Sequence, residues 1–311
     1  MLSLPDKWVW DFWFAQNGDD YHIFYLQAPK KLKIEQYRHH NANIGHAVSQ
    51  NLINWEILPD ALTPGSEGSW DDLATWTGCT VQHESMWYMF YTGVNRNEDG
   101  LIQRIGLATS EDLISWKKHL GNPIIEADKK FYELYDSSSW KDQAWRDPWV
   151  FKFNGSFHAF ITGRVNYGPL NERGVIAHAE SMDLINWNIK APVTEPGEFG
   201  QLEIPQLIHV KNKYYLIFNT YAVNHSRQRL ERTKQEAVTG THYMVADHAL
   251  GPFKYVTDHF IMGDKIGTFY NGRMIQSKDG KWRMMACRNF SDDGEFVGII
   301  TNPFEVGFIK E

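Results

Sequence analysis

Three carboxylates stand at matching places in a repeated pattern. Asp11 lies ten residues before Tyr21, Asp147 ten before Phe157 and Glu203 eleven before Tyr214, and each of those aromatic residues opens a short aromatic segment. At the corresponding place the second repeat holds Thr77 and the fifth runs from Tyr270 to Gly272. Two carboxylates on either side of a glycosidic bond can hydrolyse it. One stays protonated to donate to the leaving oxygen, while the other, ionised, serves as nucleophile or as base for water. A third can orient the sugar, and like charges in one pocket push each other's pKa values apart. Each acid also has an ordinary reading. Asp11 could cap a turn, Asp147 in Arg146-Asp147-Pro148 could be an ion pair on a rigid turn, and Glu203 could be an isolated edge residue. Burying an acid at a strand start is costly unless it is paired or used, so the shared placement favours a common site.

The elements that must position these acids follow from a second repeat. Ser-x-x-Leu-x-x-Trp occurs at Ser49/Leu52/Trp55, Ser110/Leu113/Trp116 and Ser181/Leu184/Trp187, with a weaker copy at Asp247/Leu250/Phe253. Repeats this short cannot each bury an apolar face alone and must stack as an array. Aromatic or branched runs open at Tyr21, Trp87, Phe157, Tyr214 and Trp282, with turn residues such as Asn17-Gly18, Asn154-Gly155 and Asp279-Gly280 before them. They read as strands entered through hairpins. Each has a partner about ten residues upstream: 8–16, 75–82, 145–153, 202–210 and 268–276. The expected fold is all-β: a five-bladed β-propeller of four-stranded antiparallel blades around a central channel, one domain over residues 1–311. Upstream strands would line the channel, with the acids at one mouth. The repeated Leu and Trp would seal blade against blade. Two loops are polar: 128–144 would lie beside the third inner strand, and 223–241, with Arg227, Arg229, Arg232 and Lys234, would be a short helix or a rim loop and reads as a solvated helix face.

Composition narrows the function classes. A net charge of −7 with no basic stripe argues against nucleic acid. No apolar run is long enough to span a bilayer. The first residues lack a charged stretch and an apolar core typical of a leader, so a cytoplasmic location is expected. Cys79 and Cys287 fall in different repeats and read as free thiols. Aromatic residues make up 14% of the chain; ring faces suit sugars, although core packing accounts for part of them. There is no phosphate loop, no His-Glu-x-x-His and no Cys-x-x-Cys. His39-His40 and His46 read as turn or packing residues, and neither metal nor cofactor is expected.

Several stretches resemble glycoside hydrolase family 32, with family 68 close by and family 43 more distant. They are Asn43-Ile44-Gly45-His46-Ala47-Val48-Ser49 through Trp55, Pro59-Asp60-Ala61-Leu62, Trp76-Thr77-Gly78, Phe90-Tyr91-Thr92-Gly93, Ala108-Thr109-Ser110 with Asn122-Pro123, Arg146-Asp147-Pro148 and Phe269-Tyr270. The resemblance covers nearly the whole chain, and Arg146-Asp147-Pro148 is its most specific piece. It implies a retaining β-fructosidase acting on non-reducing ends of sucrose or fructan. Asp11 would be the nucleophile, Asp147 the transition-state stabiliser and Glu203 the acid and base. Arg146 would hold Asp147 ionised and reach the acid. Trp10, Gln27, Trp76, Thr77 and Tyr270 would bind the fructosyl unit.

The chain departs from family 32 in three ways. Trp10-Asp11-Phe12-Trp13 is closer to the family 68 pattern than to Asn-Asp-Pro-Asn-Gly, Ile204 rather than Cys follows the acid, and a propeller without a C-terminal β-sandwich is expected. A second copy of the chain is one candidate to cover the flank so exposed. Two alternatives remain at this stage: a family 43-like arabinosidase or xylosidase that inverts, and a sugar-binding propeller without catalysis.

Overall fold

A computed structural model of the chain describes residues 1–308. The last three residues of the expected 1–311 domain lie outside that range. Five antiparallel sheets form the five blades expected. Their innermost strands are Lys7–Asn17, Ala74–His83, Arg146–Phe153, Glu203–Val210 and Phe269–Gln276. These match the upstream segments of the sequence to within a residue. Blades one to four each run from inner to outer edge in chain order. Blade five differs: its second strand, Trp282–Phe290, pairs with both Phe296–Ile300 and Phe304–Glu305. Leu2 from the start of the chain then bridges Ile300 through two bonds of 2.9 Å. The first residues therefore lie at the outer edge of the last blade and close the ring.

The Ser-x-x-Leu-x-x-Trp repeats are the turns between third and fourth strands. Asn51, Asp112 and Asp183 each accept two main-chain amides through Oδ1, two and three residues ahead. That local capture is what short polar side chains do in turns. It carries the following Leu52, Leu113 and Leu184 into left-handed backbone, at φ 63°, 65° and 67°. The cost of that conformation is offset by burial, since all three leucines are within 2% of fully buried. The aromatic residues ending the last three repeats pack on the preceding blade. Trp116 meets Phe24 at 5.7 Å, Trp187 meets Phe90 at 5.5 Å and Phe253 meets Phe160 at 6.0 Å. The apolar core is accordingly a set of clusters, mostly spanning neighbouring blades rather than filling the axis.

The axis is left for polar groups by a device the sequence does not announce. In a regular strand, consecutive side chains point to opposite faces. All five inner strands break that rule at one height, where register shifts occur at Asp11, at Thr77, around Asp147, across Ile204-Pro205 and across Asn271-Gly272. Asp11, Asp147, Ile204 and Asn271 sit in left-handed backbone, with φ of 33°, 58°, 55° and 48°. Such bulges re-aim side chains. Here they let two successive residues of three inner strands, Trp76-Thr77, Arg146-Asp147 and Glu203-Ile204, line the mouth of the channel, with Asp11 and Tyr270 from the other two.

Candidate active site

The bulges define two rows around the mouth. Asp11, Thr77, Asp147, Ile204 and Asn271 occupy the bulge position itself. Trp10, Trp76, Arg146, Glu203 and Tyr270 come one residue earlier, opposite Leu26, Thr92, Thr162, Asn219 and Cys287 of the neighbouring strand. Glu203 is thus not the counterpart of Asp11 and Asp147, although the sequence reading put all three at one place in the repeat. Its counterpart is Arg146, and Ile204 takes the place of the aspartates. The extra residue between Glu203 and Tyr214 was the visible trace of this offset. The glutamate still reaches the same cavity, as Trp76, Arg146 and Tyr270 of its row do.

That cavity, about 510 Å³, is lined by Asp11, Asp147 and Glu203 together with Trp76, Thr77, Arg146 and Tyr270. Its size falls in the range of small-ligand sites. Gln27 and Trp10 do not line it. The Gln27 amide donates to Asp60 at 2.6 Å at the edge of blade one. Trp10 lies behind the wall, edge-on to His39 at 6.0 Å. The residues not foreseen are His39, His40, Gln103, Asp142 and Tyr221, all on the cavity wall. His39 and His40 belong to a 3-10 segment, Glu35–Asn41, that folds over the mouth from blade one. The polarity of loop 128–144 was the only sequence signal for Asp142.

Each acid is held by named partners. The Thr77 hydroxyl donates to Asp11 Oδ2 at 3.1 Å. Asp147 Oδ2 accepts from the Thr162 hydroxyl at 3.0 Å and the Ile204 amide at 3.2 Å. Arg146 Nη2 donates to Glu203 Oε1 at 2.7 Å, and its Nε stands 3.6 Å from Asp147 Oδ2. The Tyr270 hydroxyl donates to Glu203 Oε2 in a short bond. Gln103 and Gln201 accept from the same guanidinium, at 3.0 and 3.1 Å, and fix its plane. Tyr270 in turn stacks on Tyr221 at 4.6 Å.

A further set of bonds orients the bulges from the neighbouring blade. The Asp147 amide donates to Thr92 Oγ1 at 3.0 Å, that of Ile204 to Thr162 Oγ1 at 3.2 Å, that of Gly272 to Asn219 Oδ1 at 3.3 Å, and that of Asp11 to Cys287 Sγ at 3.1 Å. These acceptors all come from the opposing row named above. Blade one has Leu26 there, which cannot accept, and Thr77 of the next blade is the bulge residue absent from the left-handed set. Cys287 is therefore a hydrogen-bond acceptor beneath Asp11, buried and free as Cys79 is.

Burial dominates the electrostatics. It pushes the Asp11 carboxyl up to about 7, helped by the charges of Asp147 and Glu203 and opposed by the Thr77 bond. Asp147 is pushed up to about 6, again by burial first. Arg146 opposes that rise without cancelling it, so the expectation that it simply holds Asp147 ionised gives way to desolvation. Burial works against the charge of Arg146 too, but Glu203, Asp142 and Asp147 outweigh it and hold the guanidinium above its ordinary value. His39 is pulled down to about 3 by burial and then by Arg38, so it lines the site as a neutral ring. Asp11 and Asp147 are thus both pushed toward neutral pH, each raised further by neighbouring negative charge. Such an arrangement suits proton transfer together with nucleophilic attack. Among the described residues, no group of three or more His, Cys, Asp and Glu side chains could hold a metal ion, and no helix is long and apolar enough to cross a membrane.

The bacterial sucrose-6-phosphate hydrolase of Escherichia coli is 25% identical over 291 residues, 90% of this chain and 54% of its own length. The cell wall β-fructofuranosidase of Pisum sativum is 25% identical over 284 residues, 89% of this chain and 47% of the pea protein. The chain thus spans about half the length of these curated relatives. Among solved structures, the Bombyx mori GH32 β-fructofuranosidase BmSUC1 superposes with a TM-score of 0.70 at 25% identity, over 98% of this chain and 61% of the silkworm chain. The kestose-bound inulosucrase of Halalkalicoccus jeotgali shares the fold, with a TM-score of 0.81 at 20% identity over 98% of this chain and 86% of that one. Residues 12–298 match the glycosyl hydrolases family 32 N-terminal domain. With its propeller, its carboxylate trio and that match, the chain belongs to glycosyl hydrolase family 32.

Proposed function

We propose that the protein is a retaining β-fructosidase that removes the terminal fructosyl unit of sucrose or a fructan. The convergence of Asp11, Asp147 and Glu203 on one cavity, with Arg146 bridging the last two, carries this reading. The relatives named above, among them a β-fructofuranosidase and a sucrose-6-phosphate hydrolase, support a fructosyl substrate. In the first step Asp11, ionised, forms a bond to the anomeric carbon while Glu203 passes a proton to the departing oxygen. In the second, Glu203 takes a proton from water, the oxygen of that water attacks the same carbon, and the bond to Asp11 breaks. Arg146 and the Tyr270 hydroxyl keep the glutamate aimed in both roles. Asp147, fixed by Thr162 and the Ile204 amide, is placed to accept hydroxyls of the sugar. Trp76 offers a ring face to it, while Trp10 and Gln27 act from behind the wall.

The test is to incubate the protein with sucrose, levan, inulin and arabinan and to identify the released sugar and its anomeric form by NMR. Fructose released with retention is expected, and Asp11→Ala and Glu203→Ala should each lower turnover by roughly 10²–10⁴-fold or more. Near wild-type turnover in either variant defeats the assignment. Arabinose released with inversion indicates the family 43-like reaction, and binding without turnover indicates a sugar-binding platform.

A further inference from the structure

Beneath the acids, one buried charge has no place in the reaction described so far. Arg273 comes from the inner strand of blade five and is 1% exposed. Its Nε donates to the carbonyl of Phe12 at 3.2 Å and its Nη1 to the carbonyl of Pro205 at 2.9 Å. Phe12 directly follows Asp11, and Pro205 lies two residues after Glu203. Blade five stands between blades four and one in the ring, so this single side chain grips both of its neighbours. Burial pulls Arg273 down to about 10, which leaves it charged at neutral pH. A charged donor doubles the strength of each bond to a carbonyl, and a planar fork holds two acceptors at a fixed angle.

We infer that Arg273 is a positioning residue: it ties the backbone after Asp11 to the backbone after Glu203 and so sets the separation of nucleophile and acid. The inference rests on the reaction proposed above. That separation decides the chemistry, since retention needs carboxyls roughly 5–5.5 Å apart and inversion roughly 6.5–9.5 Å. Other contacts hold each acid singly. Thr77 and Cys287 hold Asp11, and Arg146 and Tyr270 hold Glu203. Arg273 joins the two strands themselves. Blades four and five are also joined by a pair of bonds between Gln206 and the main chain of Met274, at 2.7 and 2.8 Å. The direct link from blade four to Phe12 runs through the guanidinium, with a longer bond of 3.4 Å from Asn271 Nδ2 to the same Phe12 carbonyl beside it.

The channel also supplies a route for testing this. At the far ends of the inner strands a second cavity, about 360 Å³, is lined by Arg273, Trp149 and Gln206. Among the described residues, Arg273 Nη2 finds no hydrogen-bond partner. In Arg273→Ala a guanidinium ion can enter from that side without crossing the sugar site.

The experiment compares wild type, Arg273→Lys and Arg273→Ala by steady-state kinetics on sucrose and by crystallography. For Arg273→Ala, kcat is expected to fall about 10²-fold, the cost of misplacing reacting groups by about 1 Å, with KM changed only a few-fold. Low-millimolar guanidinium chloride should restore kcat at least tenfold, whereas sodium chloride should not. Arg273→Lys keeps a charge in place and should lose about tenfold, because one ammonium cannot reproduce the fork. Wild-type kcat in Arg273→Lys overturns the inference, as does a folded Arg273→Ala that guanidinium leaves unrescued. The crystal structures give a readout independent of turnover. An Asp11 to Glu203 separation that moves by less than about 0.5 Å in both variants overturns the positioning role whatever the substrate. A wild type idle on every fructosyl donor, combined with a shifted separation in the variants, overturns the proposed reaction and leaves the positioning role supported.

Discussion

Asp11 shows how much stability one residue can cost when it is placed for chemistry. Its carboxyl titrates near 7 in the folded protein against an ordinary value of 3.8. Between those values the folded chain keeps a proton that the unfolded chain has released, so stability falls as pH rises through that window. The penalty is absent below about pH 4 and fully present above about pH 7. Asp147, pushed up to about 6, adds a penalty of the same sign that is complete at lower pH. Asp11→Asn keeps the shape and removes the charge. It should therefore raise stability at pH 8 by on the order of 2 kcal/mol, read as a few degrees in Tm, and give no gain at pH 4. Calorimetry at the two pH values checks this. A variant less stable than wild type at pH 8 refutes the claim that the charged form is strained by burial.

At the scale of the strand, the site depends on bulges whose amides are captured by the neighbouring blade. Cys287→Ala leaves the Asp11 amide without its acceptor and should cost about 1–3 kcal/mol, with kcat lowered because the bulge is freed to move. Cys287→Ser keeps an acceptor, as Thr92, Thr162 and Asn219 do elsewhere, and should restore both quantities. Denaturant unfolding and turnover of the two variants separate a lost hydrogen bond from a lost thiol, and equal losses in both point to sulfur packing instead. These bulges also mark where the sequence stops being legible. Strand positions can be read because aromatic runs and hairpin residues repeat with a fixed period, and the acids can be found because they share that period. The one-residue offset of Glu203 depends on which backbone position turns left-handed, which side-chain type signals poorly: Asp, Ile and Asn all occupy it here. His39, Tyr221 and Asp142 reach the cavity from connecting segments that carry no period at all. Arg229, read as part of a solvated helix face, is 1% exposed and bonded to Glu198 at 2.8 Å and to the carbonyl of Asp258 at 3.0 Å. Charge composition alone does not show that a loop folds back to bury its arginine.

For the whole molecule, the decisive event is closure of the ring. Blades one to four can form from contacts within each hairpin array, but blade five completes its edge only when Leu2 reaches Ile300 across nearly the full sequence. The same seam holds Trp8 against Phe296 at 5.8 Å and Arg38 over the Phe296 ring at 4.5 Å. Joining segments so distant carries a large entropic cost before any contact rewards it, so the seam belongs to the late stages of folding. Leu2 is 2% exposed, and Leu2→Ala should lower stability by about 2 kcal/mol, the low end for a buried leucine because the site lies at a sheet edge. The loss should fall on unfolding, which should accelerate more than tenfold, while the refolding rate changes less than twofold. Turnover per folded molecule should hold, since Gln206 and Arg273 secure the inner strand of blade five independently of its outer edge. Stopped-flow measurements of both rates decide the point. A refolding rate slowed in proportion to the lost stability shows instead that the two ends of the chain meet early and that closure nucleates the propeller.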